Sequence, residues 1–99
     1  MNIEKKLENG SLTFALTGRL DTTTSPQFEE ALFLAFDEAE EIVLDFAKLT
    51  YVSSAGLRIL LMGQKAARAK EGSMIILNVP DVIMEVFEMT GFSDILTFV

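Results

Sequence analysis

Two adjacent hydroxyls, Ser53 and Ser54, stand where a strand-like run gives way to a helix-like one. Ser53 fits the N-cap of that helix, its oxygen accepting from an unsatisfied backbone N–H. Ser54 is then the first helical residue, its hydroxyl pointing outward beside the positive end of the helix dipole, where added negative charge is favoured. Such a hydroxyl could act as a nucleophile. Nucleophilic catalysis lacks its parts. The 99 residues include no histidine and no cysteine, so there is no Ser–His pair, no thiol and no zinc set of the usual kind. The Gly-x-Ser-x-Gly pattern of a nucleophile elbow is absent, as is the Gly-x-x-x-x-Gly-Lys of a phosphate-binding loop. Asp21 and Asp45 are the carboxylates that strand ends should bring to the same rim. Asp21 reads as a partner contact or a turn-former, and Asp45 as a structural residue holding the turn after its strand. The acidic run Asp37–Glu41 lacks the glycine and alternating ligands of a calcium loop and reads as a solvated turn. No catalytic residue, cofactor or metal is expected.

The elements that must position these serines follow from periodicity. Glu41-Ile42-Val43-Leu44-Asp45-Phe46 predicts a short strand buried on both faces. Leu57, Leu60, Leu61 and Gln64 recur at helical spacing, with Ile59 and Met62 widening the apolar face. Gly56 falls in the first turn, where glycine costs roughly 1 kcal/mol relative to alanine. Two explanations fit: a neighbouring backbone too close for a Cβ, or a partner surface approaching there. Glu71-Gly72 supplies the helix stop.

Around this centre, Ile3–Glu8 and Ser11–Thr17 form alternating strands joined by Asn9-Gly10, the strongest short hairpin signal. Ile3, Leu7, Leu12, Phe14 and Leu16 supply their core face, and Lys5 and Lys6 suit an exposed edge. Gly18-Arg19-Leu20-Asp21 leaves the sheet. Ser25 as cap with Pro26 at the first helical position opens a helix whose core stripe is Phe28, Ala31, Leu32, Ala35 and Phe36. Phe33 and Leu34 fall off that stripe, as flank residues or as part of an exposed contact patch. Met74–Val79 is a further strand. Pro80 starts a third helix with Val82, Ile83, Val86, Phe87 and Thr90 on one face, Gly91 ends it, and Ile95–Val99 is a last strand. Met84 and Met89 lie off that face, as gap-fillers or adaptable surface.

Fifteen acids against eight bases give a net charge of −7, which repels a phosphate backbone. Arg58, Lys65, Arg68 and Lys70 fall along the second helix, three of them in its last turns, where they complement the dipole. Met1 leads straight into Glu4-Lys5-Lys6, unlike a signal peptide, and no apolar run approaches a membrane span. Cytoplasmic location is expected, with no direct nucleic-acid contact and no membrane insertion.

Leu49-Thr50-Tyr51-Val52-Ser53-Ser54-Ala55-Gly56-Leu57-Arg58 resembles the signature of STAS domains, in particular of bacterial anti-sigma factor antagonists. Gly18-Arg19-Leu20-Asp21 and Met89-Thr90-Gly91-Phe92 are similar to two further turns of that family, so the resemblance runs through nearly the whole chain. It implies an α/β fold, a single mixed β-sheet with helices on one face in the order ββαβαβαβ, and one STAS domain over residues 1–99. It also implies a cycle. The unmodified antagonist binds an anti-sigma factor with serine kinase activity and releases a sigma factor. Phosphorylation of the serine at Ser54 ends that contact, and a serine phosphatase restores it. The implied partner-binding residues are Asp21, Ser53, Ser54, Ala55, Gly56 and Arg58. Many phosphorylated members carry Asp just before the phosphoserine, where this chain has Ser53. STAS domains also regulate other partners, such as a membrane transport ATPase.

Overall fold

A computed structural model describes residues 1–99. The elements are β1 (Asn2–Glu8), β2 (Ser11–Leu20), α1 (Ser25–Ala35), β3 (Glu41–Val52), α2 (Ser54–Ala69), β4 (Ser73–Leu77) and α3 (Asp81–Thr90), followed by a 3-10 turn over Phe92–Asp94. The sheet order is β1-β2-β3-β4, with β1 antiparallel to β2 and the other pairs parallel. The hairpin turns through Asn9 (φ 50) and Gly10 (φ 80), the two left-handed positions of a type I′ turn.

Register explains why one face of the sheet carries the core. Leu12 pairs with Ile42 and Ile42 with Met74, while Phe14 pairs with Leu44 and Leu44 with Ile76. All six side chains are at most 1% exposed. Phe28, Leu32 and Ala35 of α1, Leu57, Ile59 and Leu60 of α2, and Ile83 and Phe87 of α3 join them in one cluster. On the opposite face, Thr13, Ala15, Asp45, Ile75 and Leu77 are half-buried. β3 is therefore less enclosed than expected: Val43 is buried there, but Asp45 is not.

The structure corrects several boundaries. β2 continues to Leu20 and β3 to Val52, so the second half of β3 still pairs with β2 through register shifts at Ala15/Thr17 and Gly18/Arg19. Each shift inserts residues that break strict alternation. The final strand is reduced to one parallel bridge, Ile76 to Phe98, because the 3-10 turn consumes the chain after Gly91. Phe98 still packs on Phe87, with ring centroids 5.6 Å apart.

Two helix ends also differ. Ser25 is the first residue of α1, not its cap; the N-cap is Thr24, and the Ser25 hydroxyl is buried without a partner. At the end of α2 the left-handed residue is Glu71 (φ 58), not Gly72. The Glu71 N–H reaches the Arg68 carbonyl and the Gly72 N–H the Ala67 carbonyl, the paired bonds of a Schellman motif. Gly72 serves proximity instead: a Cβ there would collide with the Glu40 carbonyl oxygen. On the helix faces, Leu34 and Val82 are exposed, and Met62 is 38% exposed on the outer side of α2.

Candidate functional site

Val52 ends β3 on the helix-covered face, opposite Leu20 at the end of β2. The next N–H, that of Ser53, donates to the Leu20 carbonyl at 2.9 Å, so the parallel ladder runs into the first residue outside the strand. Ser53 is extended (φ −94, ψ 175), and its hydroxyl accepts from the Gly56 N–H at 3.4 Å. This is the expected N-cap. Leu57 N–H closes the first turn on the Ser53 carbonyl at 2.9 Å. Ser53→Ala should lower stability by about 0.5–1 kcal/mol, the weaker part of the N-cap range because the bond is long. Chemical denaturation reads it, and unchanged stability would show that the cap contributes nothing.

With Ser53 turned to the backbone, Ser54 is the first helical residue and is exposed. Ala55 is half-buried, Gly56 is buried, and Arg58 emerges on the exposed side one turn after Ser54. The two explanations for Gly56 separate here. A Cβ would lie 2.8 Å from Leu20 Cγ and 3.1 Å from the Leu20 carbonyl oxygen. The close neighbour is the chain's own β2, so the close-approach explanation holds for Gly56.

Asp21 follows Leu20 and shares the rim with Ser54. Its Oδ1 accepts from the N–H groups of Thr23 (3.0 Å) and Thr24 (3.1 Å). The Thr24 hydroxyl accepts from the Asp21 N–H (2.9 Å) and donates to the Arg19 carbonyl (2.8 Å). Asp21 thus folds the entry to α1, the turn-forming role. The Thr24 N–H, then that of Thr23, holds its carboxyl below the usual carboxylate range against a partial desolvation effect. A carboxyl lowered in the folded state stabilises fully above its unfolded pKa of about 3.9 and loses that contribution as pH falls through the folded value. Asp21→Asn, which keeps an acceptor oxygen, should therefore melt with a flatter pH dependence below about pH 4 than the parent. Superimposable profiles would remove Asp21 from the acid response.

Asp45 is not at this rim. It pairs with Leu77 at the end of β4, and β3 runs seven residues further to Val52, about 23 Å at strand rise. Its Oδ1 accepts from the Ala47 N–H (3.0 Å) and the Asn78 side-chain amide (3.2 Å). It supports the bulge where β3 slips against β2, so its role is structural, though not in the turn before α2.

One surface pair was not legible as part of the site. Arg19 stacks over Tyr51, 4.0 Å from guanidinium carbon to ring centroid, an exposed cation–π contact. Arg19 also reaches Asp21 Oδ2 at 3.5 Å. Only the longer strands, which put Arg19 opposite Tyr51, would have paired them. The largest surface groove, about 540 Å³, lies at the other end of the parallel strands, among Ser11, Asp37, Glu38, Glu40 and Glu41. Ser54 stands exposed at the start of α2, one turn before exposed Arg58, and lines none of the surface grooves.

The family model described as "Mlab, STAS domain" matches residues 3–97. The chain belongs to the STAS domain family. This STAS domain is 35% identical over 88 residues to a Bordetella bronchiseptica protein named as an anti-sigma factor antagonist, BtrV, covering 88% of this chain and 76% of that one. It is 30% identical over 101 residues to the anti-sigma-B factor antagonist of Listeria monocytogenes, covering 97% and 88%. Among solved structures, the unphosphorylated anti-sigma factor antagonist SpoIIAA superposes with a TM-score of 0.78 at 19% identity, over 99% of this chain and 87% of that one. The phosphorylated form of SpoIIAA, from Bacillus, gives 0.77 at 20% identity, over 99% and 91%. The STAS fold expected from the sequence is thus present, with three helices on one face of a mixed sheet. Its fifth strand has shrunk to the Phe98 bridge.

Proposed function

We propose that this STAS domain is an anti-sigma factor antagonist. Unmodified, it binds an anti-sigma factor with serine kinase activity and so frees a sigma factor. The kinase phosphorylates Ser54, the complex ends, and a serine phosphatase returns the domain to its binding form. The reading places it in the cytoplasm, as a binding protein without catalysis of its own. The observation that carries it is the exposed hydroxyl of Ser54 at the start of α2, in a chain whose relatives are named as antagonists.

The local chemistry supports a division of labour between the serines. Ser53 is held by the Gly56 N–H and by the ladder bond to Leu20, whereas no protein group bonds the Ser54 hydroxyl. Serine and aspartate are nearly equivalent N-caps, so Ser53 keeps the backbone role of the Asp found there in many relatives while leaving out its charge. Ser54, Ala55 and Arg58 form the accessible partner-facing group, Asp21 borders it, and Ser53 and Gly56 act by shaping the turn.

Incubation with the cognate kinase and ATP, followed by peptide mapping, tests the assignment. Phosphate is expected on Ser54 and persists in Ser53→Ala. Phosphate on Ser53 with Ser54 unmodified would overturn it.

A further inference from the structure

The outward face of α2 carries charge of the opposite sign to the rest of the molecule. Of the eight bases, Lys5, Lys6, Arg19 and Lys70 are each ion-paired to an acid of the chain. The remaining four are Lys48, Arg58, Lys65 and Arg68, and three of them are on α2, all exposed. α2 itself contains no acid. At about 100° per residue, Ser54, Arg58, Lys65 and Arg68 fall within an arc of about 80° and a length of about 21 Å. Half-buried Leu61 falls inside that arc, and 38%-exposed Met62 flanks it about 40° beyond the edge, its sulfur accepting from the Arg58 guanidinium at 3.4 Å.

The helix dipole accounts for only part of this. It favours Arg68, in the last turn, but its effect fades beyond the terminal turns, and near the N-terminus it is unfavourable to a cation such as Arg58. Solubility does not require unpaired cations on a chain of net charge −7; more cations bring it nearer to neutrality. What remains is a positively charged strip with an apolar centre, beginning at the proposed phosphorylation site.

We propose that this strip, from Arg58 through Leu61 and Met62 to Lys65 and Arg68, is a docking surface for an acidic patch on a protein partner. The partner's carboxylates would meet the three cations, and an apolar side chain would cover Met62. Charge complementarity selects that occupant over DNA or an anionic membrane. Within a Debye length of about 8 Å at physiological salt, a compact acidic patch meets the strip alone, whereas an extended polyanion also meets the fifteen acids. The proposal rests on the antagonist reading for the partner's identity, and it adds a reason for the location of the switch. A phosphate on Ser54 brings roughly −1.5 to −2 to the end of the strip beside Arg58, within screening distance of that cation, and so offsets the attraction there.

The test uses Lys65→Glu/Arg68→Glu and the neutral Lys65→Gln/Arg68→Gln, both remote from Ser54, with thermal melts to confirm that they fold. Binding of the anti-sigma factor is measured from about 50 to about 500 mM salt, spanning weak to strong screening. The Glu pair should slow association at low salt by roughly tenfold or more, the Gln pair by less, and the differences should close as salt rises. Equal, salt-independent binding of all three proteins sinks the strip while leaving the antagonist reading intact. If the parent binds no anti-sigma factor, that reading falls, and a second arm decides the strip by itself. In that arm an oligoglutamate peptide, a DNA duplex and phosphatidylglycerol vesicles are titrated into the isotope-labelled domain and followed by NMR. Support is shifts at Arg58, Lys65 and Arg68 with the peptide, lost in the Glu pair. No such shifts, or tighter binding of DNA or vesicles, overturns the proposal.

Discussion

Gly56→Ala should destabilise the domain by about 1–3 kcal/mol, the cost of forcing an added carbon into packed surroundings. Helix propensity alone predicts the opposite, a gain of roughly 1 kcal/mol, so the sign of the result decides between the two effects. Overpacking should win for a local reason. The new Cβ would meet Leu20 Cγ at 2.8 Å, Cδ2 at 3.0 Å and the carbonyl oxygen at 3.1 Å. Leu20 is fully buried, and its carbonyl accepts the Ser53 N–H. Moving it aside disturbs the core and the bond that seats α2. Gly63 is the control: its nearest neighbours are the ends of the Leu32 and Met74 side chains, which can rotate, so Gly63→Ala should cost less. For a chain of this size each kcal/mol corresponds to about 4–8 °C in Tm. A Gly56→Ala protein that melts above the parent would show that Leu20 yields easily and that the position is unconstrained.

Features that depend on local backbone chemistry were legible in the sequence. Asn9-Gly10 marked the hairpin because few residue pairs tolerate two left-handed positions, and Ser53 marked the start of α2 because caps are chosen for one hydrogen bond. Features that depend on a distant neighbour were hidden. The second half of β3, Phe46–Val52, reads irregularly because Ala47 and Lys48 interrupt the apolar run at a bulge, although its pairing with β2 is what carries Ser53 to the rim. Gly72 resembled a helix stop since nothing local shows the Glu40 carbonyl beside it. Ser25 resembled a cap because the preference for serine before proline is strong, while the actual entry to α1 is organised four residues earlier, by Asp21. Asp45 was assigned to the rim on the assumption that β3 ended with Phe46. Once β3 is extended to Val52, Asp21 is the carboxylate left beside Ser54.

Phosphorylation of Ser54 should abolish partner binding while leaving the domain folded, with a Tm no lower than that of the unmodified form. Within the domain the added charge, roughly −1.5 to −2, stands at the positive end of α2, worth about 0.3–1 kcal/mol of stabilisation when exposed. Arg58, four residues on and free of any ion pair, adds a favourable i,i+4 contact of about 0.2–0.5 kcal/mol. Asp21 opposes this from the neighbouring loop, but its charge is already engaged by the N–H groups of Thr23 and Thr24; Asp45 is too distant to contribute. The favourable effects at least offset this repulsion, so the fold persists. At an interface the same phosphate must be desolvated and set against the partner's surface, a penalty that can reach several kcal/mol where like charges meet. The interface effect should therefore win. Ser54→Asp should weaken binding in the same direction but less, having one charge and a shorter reach, and Ser54→Ala should bind like the unmodified domain and escape regulation. Calorimetry with the anti-sigma factor, run beside thermal melts of all four forms, separates lost affinity from lost structure. A phosphorylated domain that binds as tightly as the unmodified one, or that loses binding only by melting, would refute this mechanism.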